Sequence, residues 1–185
     1  PKMAQYIYTK RKNIHIIDLQ QTLRIFREVL TKITEVAATG ARFLFVGTKK
    51  QAKEAIEREA KRCGAFYVSE RWLGGMLTNF STISKNIDKL RRMESLETDG
   101  TVNRMGNKEA KRFRKELSRL RLVLSGIRDM KKLPDMVVII DMKREITSVL
   151  EAKKLGLAVV GILDTNCDPD WATYGVPGND DAIRA

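Results

Sequence analysis

Apolar residues recur along this chain in two rhythms. Short unbroken runs predict strands: "IHII" at Ile14–Ile17, "FLFVG" at Phe43–Gly47, "AFYV" at Ala65–Val68, "MVVIID" at Met136–Asp141 and "AVVGIL" at Ala158–Leu163. Between them lie stretches of helical period. Leu19, Leu23, Phe26, Leu30, Ile33 and Ala37 draw one apolar face of a first helix, with Asp18 placed to cap it and Gly40 to stop it. Lys50 to Cys63 gives a second helix, ended by Gly64, and "SVLEAKKLG" a later one. Strands alternating with helices, with apolar runs continuous enough to be buried on both sides, predict a doubly wound α/β domain around a parallel sheet.

The middle of the chain departs from this alternation. From Phe80 the apolar positions are Phe80, Ile83, Ile87, Leu90 and Met93; after "ETDGTVNRMGN" they are Ala110, Phe113, Leu117, Leu120, Leu124 and Ile127. Steps of three and four on both sides of a polar stretch predict two helices packed along a narrow seam. The expected object is an antiparallel coiled-coil helical hairpin with its tip near Gly100–Gly106. It spans 80–126 and is inserted into a discontinuous body formed by 1–79 and 127–185. "RWLGGMLTNF" (Arg71–Phe80) stands at the junction. Its glycines let the backbone turn sharply out of the sheet, and Thr78, Asn79 or Ser81 is placed to cap the first hairpin helix.

Charge sharpens the picture. The chain of 185 residues is 43% hydrophobic and 31% charged, an ordinary folded composition, yet its formal net charge is +12. Such an excess points to a polyanionic partner, because each cation facing a phosphate releases condensed counterions. Residues 81–132 carry 15 basic and 7 acidic side chains, the same numbers as residues 1–80 in far fewer positions. Residues 133–185 carry 5 basic and 9 acidic side chains and are a different electrostatic object. Aromatic residues are only 6%, so phosphate contacts are expected to outweigh stacking on bases.

Candidate chemistry is sparse. "VGTKK" (Val46–Lys50) follows a strand and opens a helix, where α/β folds bind anions; Thr48–Lys50 is therefore the place for a phosphorylated ligand if the protein is a small enzyme. It lacks the full phosphate-loop spacing, and "LGGML" lacks the dinucleotide glycine spacing. His15 is the only histidine, which removes histidine-pair metal sites and relays, and its isoleucine neighbours suggest packing. "DTNCDPD" (Asp164–Asp170) could hold a hard cation but reads better as a turn. Cys63 and Cys167 fit no metal spacing and read as reduced, buried thiols. No catalytic residue, metal or cofactor is expected. No apolar run is long enough to cross a bilayer and no signal-peptide pattern opens the chain. Because it begins at Pro1 and stops at Ala185, it reads as a piece of something longer.

These segments, taken in order, resemble the bacterial-type ribosomal protein S2 family of the small subunit over nearly the whole length. The resemblance is carried by "PKM" (Pro1–Met3), "IHIIDL" (Ile14–Leu19), "FVGTKKQA" (Phe45–Ala52), "RWLGGMLTNF", "LSGIRDMKKLPDMVVIID" (Leu124–Asp141), "EAKKLGLAVVGILDTNCDPD" (Glu151–Asp170) and "VPGNDDAIRA" (Val176–Ala185). It implies a flavodoxin-like fold with an inserted coiled-coil hairpin and no enzymatic activity. It further implies a place at the head–body boundary of the small subunit, in the cytoplasm or in an organelle's stroma or matrix. The implied partners are small-subunit ribosomal RNA and neighbouring ribosomal proteins, including the large one that captures messenger RNA, with no membrane and no free homo-oligomer. The family's segment ahead of "PKM" and its helix after "DDAIRA" are absent here. The cations expected to face RNA are Lys10, Arg11, Lys12, Lys49, Lys50 and Arg71 on the body. On the hairpin they are Lys85, Lys89, Arg92, Arg104, Lys108, Lys111, Arg112, Lys115 and Arg119, unless these only keep a protruding element soluble. Arg71 reads equally as a structural ion pair.

Overall fold

The computed structural model describes residues 2–181. An antiparallel ribbon, β1 (Ile7–Arg11) and β2 (Ile14–Ile17), opens the chain and leads into helix α1 (Leu19–Ala38). The Asp18 carboxylate accepts hydrogen bonds from the Gln20 and Gln21 N–H groups and caps α1. Then follow β3 (Phe43–Val46), α2 (Lys50–Cys63), β4 (Phe66–Val68), α3 (Phe80–Thr98), α4 (Asn107–Leu124), β5 (Met136–Ile139), α5 (Ile146–Lys154), β6 (Ala158–Leu163) and β7 (Tyr174–Pro177). The five later strands form one parallel sheet in the order β4-β3-β5-β6-β7. That is the flavodoxin-like doubly wound order, with its switch point between β3 and β5. Arg42 ties the two switch-point strands at their starts: its backbone N–H and guanidinium donate to Asp135 at 2.8, 3.0 and 3.1 Å.

Alternation along the strands sorts the core onto two faces. Leu44, Val46, Val68, Val137, Ile139, Val159 and Leu163 point to one face, where they meet α5 and the roots of α3 and α4. Phe43, Val138 and Val160 point to the other, under α1, and Phe45, Tyr67 and Ile140 lie under α2. Between α1 and α2 an apolar groove runs over Val138, Ile140 and Ile162.

Helices α3 and α4 pack side by side through Ile83, Ile87, Leu90 and Met93 on one and Ala110, Leu117 and Leu124 on the other. The connector contains a 3-10 turn, Thr101–Arg104, so it is too short to carry the chain back along the roughly 28 Å of α3, and the helices run antiparallel. Arg121 bridges to Glu94 and Glu97, and Lys89 to Glu116, across the pair. The hairpin's apolar seam is continuous with the sheet's core: Ile83, Ile87, Leu90, Leu117 and Leu124 belong to one cluster with Leu44, Val46 and Val137.

Several local expectations are corrected. Helix α1 turns Ile25, Val29, Ile33 and Val36 to the sheet. Of the face expected to be buried, Leu19, Leu23, Phe26 and Leu30 stay 72, 51, 45 and 43% exposed. The helix carries two apolar stripes that meet at Ile33, and apart from that residue the sheet covers the other one. His15 is exposed on β2 rather than packed, and Cys63 is exposed while Cys167 is buried. "IHII" pairs with β1, not with the main sheet; β1 and β7 are strands whose mixed composition gave no apolar run.

Candidate nucleic-acid interface

The "LGGML" turn joins β4 to the hairpin. Gly75 has φ of +83°, and a Cβ there would stand 3.1 Å from that of Asn79. Gly74 needs neither allowance. Within the turn, Met76 N–H bonds to the Leu73 carbonyl and Asn79 N–H to that of Gly75. The N–H groups left over, those of Gly75, Leu77 and Thr78, donate to the carboxylate of Glu151 on α5 at 2.8, 2.9 and 3.1 Å. The Trp72 indole N–H and the Thr78 hydroxyl donate to the same carboxylate at 3.0 and 3.1 Å. Glu151 is 7% exposed and pairs with no cation among the described residues. Burial alone would raise its pKa; the donors from Trp72 and the turn outweigh that and hold it below the usual carboxylate value. Asn79 stands at the N-cap of α3, but its amide oxygen accepts from the Ser81 and Thr82 hydroxyls instead of a backbone N–H.

Where the hairpin leaves the body, Arg71, Leu73, Asn86, Lys89, Arg119 and Leu120 help to enclose a cleft of about 410 Å³. Three of the expected cations, Arg71 from the β4 exit, Lys89 from α3 and Arg119 from α4, thus meet in one place. Lys89 also pairs with Glu116 in the cleft wall; Arg71 and Arg119 are exposed and form no ion pair among the described residues. Lys85 and Arg92 on α3, Arg104 at the tip, and Lys108, Lys111, Arg112 and Lys115 on α4 are likewise exposed without ion pairs among those residues. Lys10, Arg11 and Lys12 sit on the separate β1–β2 ribbon and Lys50 in the first turn of α2, all exposed. Of the cations in and beside the hairpin outside the expected set, Arg91, Arg121 and Arg128 are spent within the fold on Asp129, Glu94 and Glu97, while Arg114 is exposed and donates to the Asn103 amide oxygen at 3.3 Å. Sequence reasoning passed over Asn86 and the exposed pair Lys131–Lys132. The dibasic step in "DMKKLP" was the available signal for the latter.

Lys49 is turned inward. Its ammonium lies 2.8 Å from Asp180 and 3.5 Å from Asp141, and also pairs with Asp181; its side chain is 12% exposed. Burial pulls its pKa down, but the hydrogen bonds to Asp180 and Asp181 prevail and raise it above the ordinary lysine value. Burial also pushes the Asp180 carboxyl up. The neighbouring Thr48 N–H donates to Glu145 at 3.0 Å. The phosphate position offered by the switch point is therefore occupied by the protein's own acids: Asp141, Asp164, Asp180 and Asp181 line the pocket there together with Lys49, Lys143 and Arg144. An anionic ligand would have to displace the carboxylates that hold Lys49, which counts against a phosphorylated substrate at Thr48–Lys50. In the loop "DTNCDPD", Asp168 accepts from the Asp170 N–H, and Lys2 bridges Asp168 and Asp170 at 2.8 and 2.6 Å, so these acids shape a turn.

The chain matches the family Ribosomal protein S2 over residues 1–185. It is 54% identical to the small ribosomal subunit protein uS2 of Dictyoglomus thermophilum over 185 residues, covering 100% of this chain and 75% of that protein. With uS2 of Oleidesulfovibrio alaskensis the identity is 52%, covering 100% and 71%. With uS2 of Geotalea uraniireducens it is again 52%, covering 100% and 72%.

Proposed function

The chain belongs to the ribosomal protein S2 family of structural, non-enzymatic small-subunit proteins, and from that premise we propose that it grips small-subunit ribosomal RNA through phosphates at the base and outer faces of its hairpin. The observation that carries the reading is the cleft in which Arg71, Lys89 and Arg119 converge from three elements. The unpaired cations of α4 extend that surface outward along one helix. In this reading 80–126 is a lever inserted into a discontinuous body, 1–79 and 127–185, with its root sharing the body's core. The protein works in the cytoplasm as part of the small subunit, not as a free homo-oligomer.

The same reading includes docking of the large ribosomal protein that captures messenger RNA. Exposed Tyr8, Ile14 and Ile16 on the ribbon and Leu19 and Leu23 on α1 favour a protein neighbour on that side, since apolar side chains gain little from a phosphate backbone. Two measurements test the proposal. Reversal of Lys111, Arg112 and Lys115 to glutamate should lower incorporation into small subunits reconstituted without S2, while the thermal transition is unchanged. Affinity of the wild-type chain for transcribed small-subunit RNA should fall steeply from low to moderate salt. Wild-type incorporation of the triple variant, or binding indifferent to salt, would sink the phosphate-grip reading.

A further inference from the structure

Glu151 makes no hydrogen bond to any residue that lines the cleft; its partners are Trp72, Gly75, Leu77 and Thr78. We propose that Glu151, from inside the α/β body, is the positioning residue that fixes the hairpin's exit direction and with it the spacing between Arg71 and the cations of α3 and α4. This rests on the cleft reading above. A buried carboxylate without a countercation is costly unless donors surround it. Here all five donors come from one short segment, Trp72 to Thr78. One oxygen takes Trp72 and Gly75; the other takes Leu77 and both groups of Thr78. A two-pronged acceptor of this kind fixes the rotation of the turn as well as its place, because sliding or twisting the turn breaks bonds to one oxygen or the other. Arg71 immediately precedes the segment, Leu73 within it lines the cleft, and α3 begins two residues after Thr78. The backbone N–H groups form a concave nest of the type that elsewhere binds phosphate, with the protein's own carboxylate as the anion. Neutralising that anion while keeping its size should free the turn without emptying the core.

Glu151→Gln does this, since its amide NH₂ must face donors at one of the two oxygen positions. Spin labels at Thr98→Cys on the hairpin and Glu54→Cys on α2, with Cys63 replaced by serine, report the hairpin-to-body distance by double electron–electron resonance. The expected wild-type distribution is narrow at neutral pH and broadens on acidification; that of Glu151→Gln is broad at both pH values. Affinity of the Glu151→Gln chain for transcribed small-subunit RNA should fall about tenfold. Should the Gln variant fail to fold, Trp72→Phe removes a single donor and should broaden the distribution to a lesser degree. A narrow, wild-type distance in the folded Gln or Phe variant overturns the proposal. A broadened distance with unaltered RNA affinity keeps Glu151 as the hairpin's positioning residue and overturns the cleft reading instead.

Discussion

Two strand-to-helix junctions of this molecule each receive a buried glutamate, one from the start of α5 and one from its interior, and use it to opposite ends. After β3, Glu145 takes the Thr48 N–H and hydroxyl, while Lys49 is drawn into Asp141, Asp180 and Asp181. After β4, Glu151 takes five donors from a single turn. The first junction is closed: an anion site of the fold is filled by acids, and Lys49, the lysine turned into it, is neutralised. The second is open, because the turn it anchors carries exposed Arg71 on one side and the hairpin on the other. A glycine-bearing turn beside basic residues is thus no guide to ligand chemistry until the source of its anion is known.

The contrast makes its largest claim about stability. Glu151→Leu strands five donors and should cost on the order of 4 kcal/mol in urea unfolding, whereas Glu145→Leu strands the two donors of one half-buried threonine and should cost about 1–2 kcal/mol. Equal losses would break the comparison. The two glycines of the second junction offer a finer cut. Gly75→Ala forces a side chain into a left-handed backbone and should lose about 1–2 kcal/mol. Gly74→Ala, with open space around its Cβ, should stay within about 0.5 kcal/mol of wild type.

Acid should act on the junctions with opposite signs. Glu151 is held below its ordinary value of 4.5, so its contribution is complete above that value and is lost as pH falls through the folded pKa. Asp180 is raised from 3.8 by burial, so its contribution is complete below 3.8 and is lost as pH rises through the folded pKa. Thermal melts between neutral and acid pH should therefore show Glu151→Gln losing less than wild type on acidification, by on the order of 1 kcal/mol, and Asp180→Asn losing less on the return. Arg71→Ala, like Gly74→Ala, should change stability by no more than about 0.5 kcal/mol, although the Arg71 variant should enter small subunits severalfold less well.

The hairpin was legible because its seam obeys local rules. Ile83, Ile87, Leu90, Met93, Ala110, Leu117 and Leu124 are all buried at the positions periodicity assigns them. Helix α2 and its left-handed Gly64 stop were legible for the same reason. At the level of single cations, legibility ended. Lys49 and Lys50 are neighbours in the sequence, yet one is enclosed by acids from the ends of β5 and β7 and the other is exposed. Glu151 looked like one more acid of a charged helix.

By itself the sequence determined the five α-helices of the described residues, four of the five strands of the main sheet, the apolar seam between α3 and α4, the basic character of that segment's surface and the family. Each depends on period, turn chemistry or composition, which act over a few residues. The tertiary structure alone decided which stripe of α1 is covered, which cations remain free and which carboxylate anchors the turn. Those outcomes depend on atoms far apart in the chain: Arg121 meets Glu94 across 27 positions, and Glu151 meets Leu77 across 74. Hydrogen bonds and ion pairs act over a few ångströms, and only the assembled sheet and the packed helices bring such distant residues that near.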